Sequence, residues 1–246
     1  MDKLRCRPLA VGFISTVLLT PLAIGAQAPS ADRAAALKQS LAANQAALRQ
    51  YTWIETTTVS LKGEVKKQEQ KQCSYGADGK VQKTPLPGAA PAAPARQSGG
   101  GRGGRGGRVK EAVVEHKVDE LKDYMEKTVA LVHQYVPPDP QRIQAAQSAG
   151  NVAVQPSGGT ITTLTVKDYV KPGDALTIGF DTAAKKLAQY MVASYVEKPK
   201  DDDLTLDVMF ASLPDGTSYP QQVTLDVKAK HVLVKVANSG YKKSGS

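Results

Sequence analysis

The chain has 246 residues, a formal net charge of +9 and two cysteines. This length suits one ordinary domain and is too short for two comfortable ones. Three basic residues precede an apolar run over residues 9–24, and the small-residue motif Ala26-Gln27-Ala28 follows it. This arrangement predicts a secretory signal peptide over residues 1–28, cleaved after Ala28, and hence a periplasmic or secreted protein. An uncleaved anchor is the alternative, but the run is short for a membrane span and Pro21 interrupts it.

Cleavage leaves Cys73 as the only cysteine, so no intrachain disulfide can form and the core must hold the fold alone. Cys73 is interpreted as an ordinary strand cysteine, with interchain pairing or a reactive thiol as alternatives. The leader also carries one acidic and three basic residues, so the formal charge falls from +9 to +7 without Asp2, Lys3, Arg5 and Arg7.

The mature chain is predicted to begin with a helix over Ser30–Gln50, where apolar residues recur at spacings of three and four. From Tyr51 to Leu61 the pattern changes to alternation with many β-branched residues, which predicts a strand. Lys62-Gly63 turns the chain into a largely polar strand over 65–75, and a second turn at 77–80 leads into 81–84. Residues 29–84 are therefore interpreted as the N-terminal helix and β-hairpin of one domain.

Residues 85–108 are rich in Pro, Ala and Gly and end in a glycine-arginine repeat. Such a composition buries too little apolar surface to offset the entropy of ordering, so a disordered loop is predicted. The repeat is typical of segments that bind single-stranded nucleic acid, but it lacks interleaved aromatics and the predicted export argues against that partner. Contact of Arg102, Arg105 and Arg108 with an anionic membrane or polysaccharide surface fits the context better.

A helical segment is predicted over residues 109–150. Apolar residues follow helical spacing from Val109 to Tyr135, which indicates a long amphipathic helix, and Pro137-Pro138 ends it. Asp139 can cap a second, short helix, with Gly150 past its end.

Residues 151–246 read as an antiparallel meander that completes the same domain. Two strands are expected at Asn151–Gln155 and Thr160–Tyr169, and period-two alternation then predicts the further strands 176–180, 187–196, 204–210, 223–227 and 232–236. The predicted fold class is α+β: a curved antiparallel sheet, an open half-barrel, with the N-terminal helix and the long amphipathic helix packed across it.

No catalytic constellation is evident in the sequence. The motifs HExxH, CxxC and GxSxG are absent, and His116 and His133 lie about 100° apart around their predicted helix. Three consecutive acids at 201–203 precede a strand and are typical of a solvated loop, although weak calcium binding is conceivable. The sequence therefore predicts a protein that is not an enzyme, with no catalytic residues, no metal and no cofactor.

Two segments carry a family resemblance: "YTWIETTTVSLKGEVKKQEQKQCSYGADGKVQKT" and "DVMFASLPDGTSYPQQVTLDVKAKHVLVKVANSGYKK". In pattern and order they resemble secreted bacterial proteins of the outer-membrane lipoprotein-sorting (lipoprotein carrier-like) superfamily, and the second is similar to a group of secreted proteins from soil bacteria. The resemblance covers most of the mature chain except 85–108. It implies an open half-barrel with helices across its mouth, and a concave face that binds acyl chains or hydrophobic segments. None of the carriers' ligand-binding residues can be placed on this chain.

Two functional hypotheses follow. The first is a non-enzymatic periplasmic carrier or sensor that binds a hydrophobic or lipid-like ligand, such as a lipid or an acylated protein. Alternation alone gives six candidate cavity residues, each equally interpretable as plain core: Trp53, Phe180, Leu206, Phe210, Leu225 and Val234. The alternative is an envelope scaffold or interaction protein with a sealed sheet, whose basic loop contacts anionic surface polymers.

Overall fold

The computed structural model describes residue 39 and residues 42–86 and 107–244. The chain divides into two compact units, residues 1–40 and 41–246, and every element named below belongs to the second unit. The predicted signal peptide and most of the predicted 85–108 loop therefore lie outside the described residues. The ten strands are β1 Tyr51–Leu61, β2 Glu64–Tyr75, β3 Val81–Pro85, β4 Val152–Gly158, β5 Ile161–Lys167, β6 Ala175–Asp181, β7 Lys186–Tyr195, β8 Asp203–Ser212, β9 Ser218–Val227 and β10 Val232–Lys243.

All ten strands form one antiparallel sheet in the order β3-β2-β1-β10-β9-β8-β7-β6-β5-β4. Strands β4 to β10 follow one another as a meander, and the last strand, β10, pairs with the first, β1. The edge strands β3 and β4 do not pair with each other, so the curved sheet remains open. This confirms the predicted fold class, an α+β fold on a curved open sheet.

Three α-helices accompany the sheet: α1 over residues 42–48, α2 Gly107–Val132 and α3 Pro140–Ser148. The predicted cap of α3 is confirmed, since the Asp139 carboxylate accepts a hydrogen bond from the backbone N–H of Gln141 at 2.9 Å. Helix α2 begins at Gly107, so the last two residues of the predicted loop are helical. Of the predicted helix 30–50, the part before α1 lies outside the described residues except for residue 39.

Two strand boundaries differ from the prediction. Strand β4 continues through Pro156 to Gly158, where a turn was expected. As an edge strand, β4 tolerates a proline because the missing N–H can face away from the ladder.

Strand β10 extends seven residues beyond the predicted end at 236 and reaches the pair Lys243–Tyr51. A register irregularity opposite Thr52–Ile54, with Gly240 at φ +63°, breaks the alternation there.

The core lies on one face of the sheet, because residues directly opposite each other in a ladder share a face. One such apolar row crosses six strands: Val166, Leu176, Val192, Leu206, Leu225 and Val234. Leu131 and Tyr135 at the end of α2, and Ala146 of α3, pack on this face in the main buried cluster. A second cluster joins Tyr124 of α2 to two valines of β9 and β10. Helix α2 therefore covers the middle of the sheet, and α3 covers its β4–β5 end.

The opposite face of the sheet is largely polar, as in the row Thr165, Thr177, Met191, Asp207, Thr224 and Lys235. Within the described residues, none of the helices combines the length and apolar character that a membrane crossing requires.

Candidate functional site

A pocket of about 310 Å³ opens on the covered face, where β1, β2, β3 and β10 meet. Its apolar and aromatic walls are Leu48, Trp53, Tyr75, Val81, Pro220 and Tyr241. We call this the Trp53 pocket. It lies beyond the part of the sheet that α2 and α3 cover, and α1 contributes Leu48 to one side.

The aromatic walls come together through strand pairing. Trp53 in β1 lies opposite Cys73 in β2, and Tyr75 follows two residues later. The irregularity at Gly240 brings Tyr241 beside Trp53, with the two rings nearly parallel at 9° and their centroids 5.6 Å apart. Tyr75 packs on Trp53 at 5.4 Å, and Tyr219 on Tyr241 at 4.3 Å. Burial is the main cause that raises the pKa of both Tyr75 and Tyr241 above the usual value for tyrosine.

The polar lining of the pocket consists of Glu55, Lys83 and Asn238. The ammonium of Lys83 lies 2.7 Å from each carboxylate oxygen of Glu55, whose side chain is only 12% exposed. Asn238 donates to the carbonyl of Pro220 at 2.8 Å. Among the described residues, the Nε1 of Trp53 and the Oδ1 of Asn238 are buried without a hydrogen-bond partner. An unpaired buried polar group costs about 1–3 kcal/mol, so the pocket wall holds hydrogen-bonding capacity that the fold does not use.

In the described part of α1, the side chain of Asn44 attaches the helix beside the pocket. The amide of Asn44 donates to the carbonyl of Ser218 at 2.8 Å and accepts from the N–H of Ser218 at 2.6 Å. This pair of bonds fixes α1 against the start of β9, so that Leu48 forms a wall. Arg49 follows directly, and its guanidinium lies beside Gly79 in the β2–β3 turn. Gly79 has φ +75°, so the backbone conformation favours glycine there, whereas the nearby guanidinium is the end of a flexible side chain that could move aside for a Cβ.

A buried polar network seals the middle of the sheet. The hydroxyl of Tyr135 donates to Asp174 at 2.5 Å and lies 2.8 Å from the hydroxyl of Ser194. Asp174 also accepts three backbone N–H groups from residues 169–171. Burial, followed by the bond to Asp174, raises the pKa of Tyr135. The hydroxyl of Tyr135 therefore connects the chain just after α2 to Asp174, which precedes β6, and to Ser194 of β7.

The six candidate cavity residues fall into four places. Trp53 lies in the pocket. Leu206 is buried in the main cluster, and Phe210 and Leu225 pack against it, whereas Val234 packs on the second cluster. Phe180 is half-buried opposite Thr162 and Leu187 and belongs to neither cluster. The structure therefore brings Leu206, Phe210 and Leu225 together in packed core and separates them from Trp53.

The remaining pocket residues were not singled out from the sequence. Tyr241 lies beyond the predicted end of the last strand, and its neighbourhood with Trp53 depends on the pairing of the first strand with the last. Alternation within single strands carries no information about that long-range pair. Tyr75 lies two residues after Cys73, the residue opposite Trp53, and therefore on the same face of the sheet. The sequence could have indicated this only if the register of β1 against β2 were known.

Metal binding has no geometric support in the described part of the chain, where no group of three or more His, Cys, Asp or Glu side chains lies close enough to hold an ion. In the acidic stretch 201–203, the Asp202 carboxylate accepts the backbone N–H of Lys198 at 3.1 Å, closing the β7–β8 connection on itself.

Comparisons with known proteins assign no function to the site. No protein-family model and no curated protein matches this chain. A function can therefore be inferred only from the Trp53 pocket and the fold around it.

Proposed function

We propose that this protein is a non-enzymatic periplasmic or secreted carrier or sensor that binds a hydrophobic or lipid-like ligand, with the apolar part of that ligand in the Trp53 pocket. The observation that carries the proposal is an open pocket of about 310 Å³ with three aromatic walls on a face that is otherwise packed. Ligand sites in proteins are typically apolar concavities of about 300–1,000 Å³ with a few polar groups that orient the ligand.

The composition of the pocket supports binding more than catalysis. Its two charged lining groups, Glu55 and Lys83, pair with each other, and burial raises the pKa of the two lining tyrosines, Tyr75 and Tyr241, which keeps them protonated. The rings of Trp53, Tyr75 and Tyr241 offer flat apolar area at little conformational cost.

The test uses the only tryptophan of the chain as its reporter. An environment-sensitive apolar dye, titrated into the folded protein, should bind saturably at one site and change the emission of Trp53. Tyr241→Ala should weaken that binding at least tenfold, because it removes the ring stacked on Trp53. Tyr195→Ala is the matched control, since Tyr195 lies on β7 and does not line the pocket. Absence of saturable binding, with cooperative unfolding intact, would overturn the proposal.

A further inference from the structure

The volume of the Trp53 pocket limits the size of its ligand. A pocket of about 310 Å³ lies at the lower end of the range of about 300–1,000 Å³ that is typical of ligand sites. This size suits one alkyl chain of medium length better than the two or three chains of a membrane lipid or a lipidated protein. Towards the middle of the sheet the same face is packed, because Phe210, which pairs with the wall residue Pro220, packs against the main buried cluster.

The interior of the pocket is electrically balanced, which determines where a charged ligand head can lie. The Lys83–Glu55 pair is mutually satisfied, with both carboxylate oxygens at 2.7 Å from the ammonium. A further charge buried beside this pair would lose its hydration without gaining a partner. A charged head is therefore expected at the rim, with the apolar chain inside.

Arg49 provides the cation at that rim. It directly follows the wall residue Leu48, it is exposed, and it forms no ion pair with any described residue. The nearby Lys71 is already paired with Glu69 at 2.8 Å. The carboxylate of Asp78, in the same turn as Gly79, accepts the backbone N–H of Lys80 at 3.0 Å. A planar guanidinium with five donors suits a carboxylate, which it can bind through two parallel hydrogen bonds.

We propose that the ligand is a single-chain amphiphile with a carboxylate head, its chain in the Trp53 pocket and its head on Arg49. This inference rests on the proposed function and names the ligand class of the same site. It also distinguishes this protein from a carrier of multiply acylated partners, because the volume of the pocket suits one chain.

The experiment compares decanoate, decanol and decyltrimethylammonium as competitors for the bound dye, with Trp53 emission as a second readout. In the wild-type protein, decanoate should bind roughly fivefold more tightly than decanol, the increment of an exposed ion pair worth about 1 kcal/mol, and decyltrimethylammonium should bind most weakly. Arg49→Gln should make decanoate and decanol equal. Arg142→Gln is the matched control and should retain the preference, since Arg142 lies on α3 beside Tyr169.

Three outcomes would overturn the inference, and they separate it from the proposed function. Equal affinity for decanoate and decanol in the wild-type protein would refute the carboxylate head while leaving apolar binding intact. Competition by dihexanoyl phosphatidate as effective as that by decanoate would refute the single-chain limit. If none of the three single-chain compounds competes and no dye binds, the proposed function itself fails. Thermal unfolding of Arg49→Gln should match the wild type, because the side chain is exposed.

Discussion

The tether between α2 and the sheet should be a major source of stability, and Tyr135→Phe tests it. Tyr135 is fully buried, and its hydroxyl bonds Asp174 at 2.5 Å and Ser194 at 2.8 Å. A hydrogen bond to a charged group contributes about 1.5–3 kcal/mol, and a buried hydroxyl left without its partner costs about 1–3 kcal/mol more. Asp174 keeps its three backbone donors, so its charge does not become unpaired. The lower bounds of these two costs add to about 2.5 kcal/mol, so we expect a loss of at least that size.

The loss can be measured by urea unfolding followed both by circular dichroism and by the emission of Trp53. For a chain of this size it corresponds to a fall in Tm of about 5–10 °C. Tyr195→Phe is the matched control: its hydroxyl donates to the carbonyl of Pro172 at 3.0 Å in an exposed setting, so about 0.5 kcal/mol or less is expected. If Tyr135→Phe costs no more than Tyr195→Phe, the network does not tether the helix and the reasoning is refuted.

Three further predictions follow from the β2 strand and from the sequence. Neighbouring lysines, above all Lys71, lower the pKa of Glu69 to about 2 from its usual 4.5. The stabilisation by these ion pairs is therefore present above pH 4.5 and is lost as the pH falls towards 2. In urea unfolding from about pH 6 to about pH 2, Glu69→Gln should make the free energy of unfolding depend less steeply on pH, and an unchanged slope would contradict the ion pairs. Cys73 is 0% exposed and burial raises its pKa, so in a Cys6→Ser chain a thiol reagent should label it only at the rate of unfolding; rapid labelling of the native protein would show the site to be open. The alternative function predicts salt-sensitive binding to anionic vesicles that disappears when the arginines of residues 96–108 are replaced by glutamine, and binding that survives the replacement would remove this segment from the argument.

The fold was largely predictable because most of its strands carry a local signal. Alternation marked β1 and the strands from Leu176 to Val236, and the charged face of the meander is the one that the pattern indicated. The signal failed where alternation stops while pairing continues. Gly240 interrupts the period-two pattern, yet β10 reaches Lys243 because β1 provides a partner up to Tyr51. Strand ends are determined by the neighbouring strand, which local patterning does not reveal.

The candidate site was predictable only at Trp53. Its partner Tyr241 lies 188 positions later in the chain, and the two rings meet because β10 closes back on β1. Leu206 and Phe210 have the same alternation as a cavity wall would have, but the helices α2 and α3 pack over them. Whether an apolar face becomes core or cavity depends on what covers it, and the strand sequence is the same in both cases.

The position of the pocket follows from the extent of that cover. The buried clusters join the sheet to the part of α2 from Leu121 onward and to α3, and of the strands β1 to β3 only Leu61 of β1 takes part in them. Beside the β1–β3 end of the same apolar face lies the described part of α1, where Asn44 hydrogen-bonds Ser218. Trp53, Tyr75 and Tyr241 border a space at this end that no described side chain fills. Among the described residues, the extent of the helical cover thus accounts for a packed core over β4 to β10 and a pocket at the β1–β3 end.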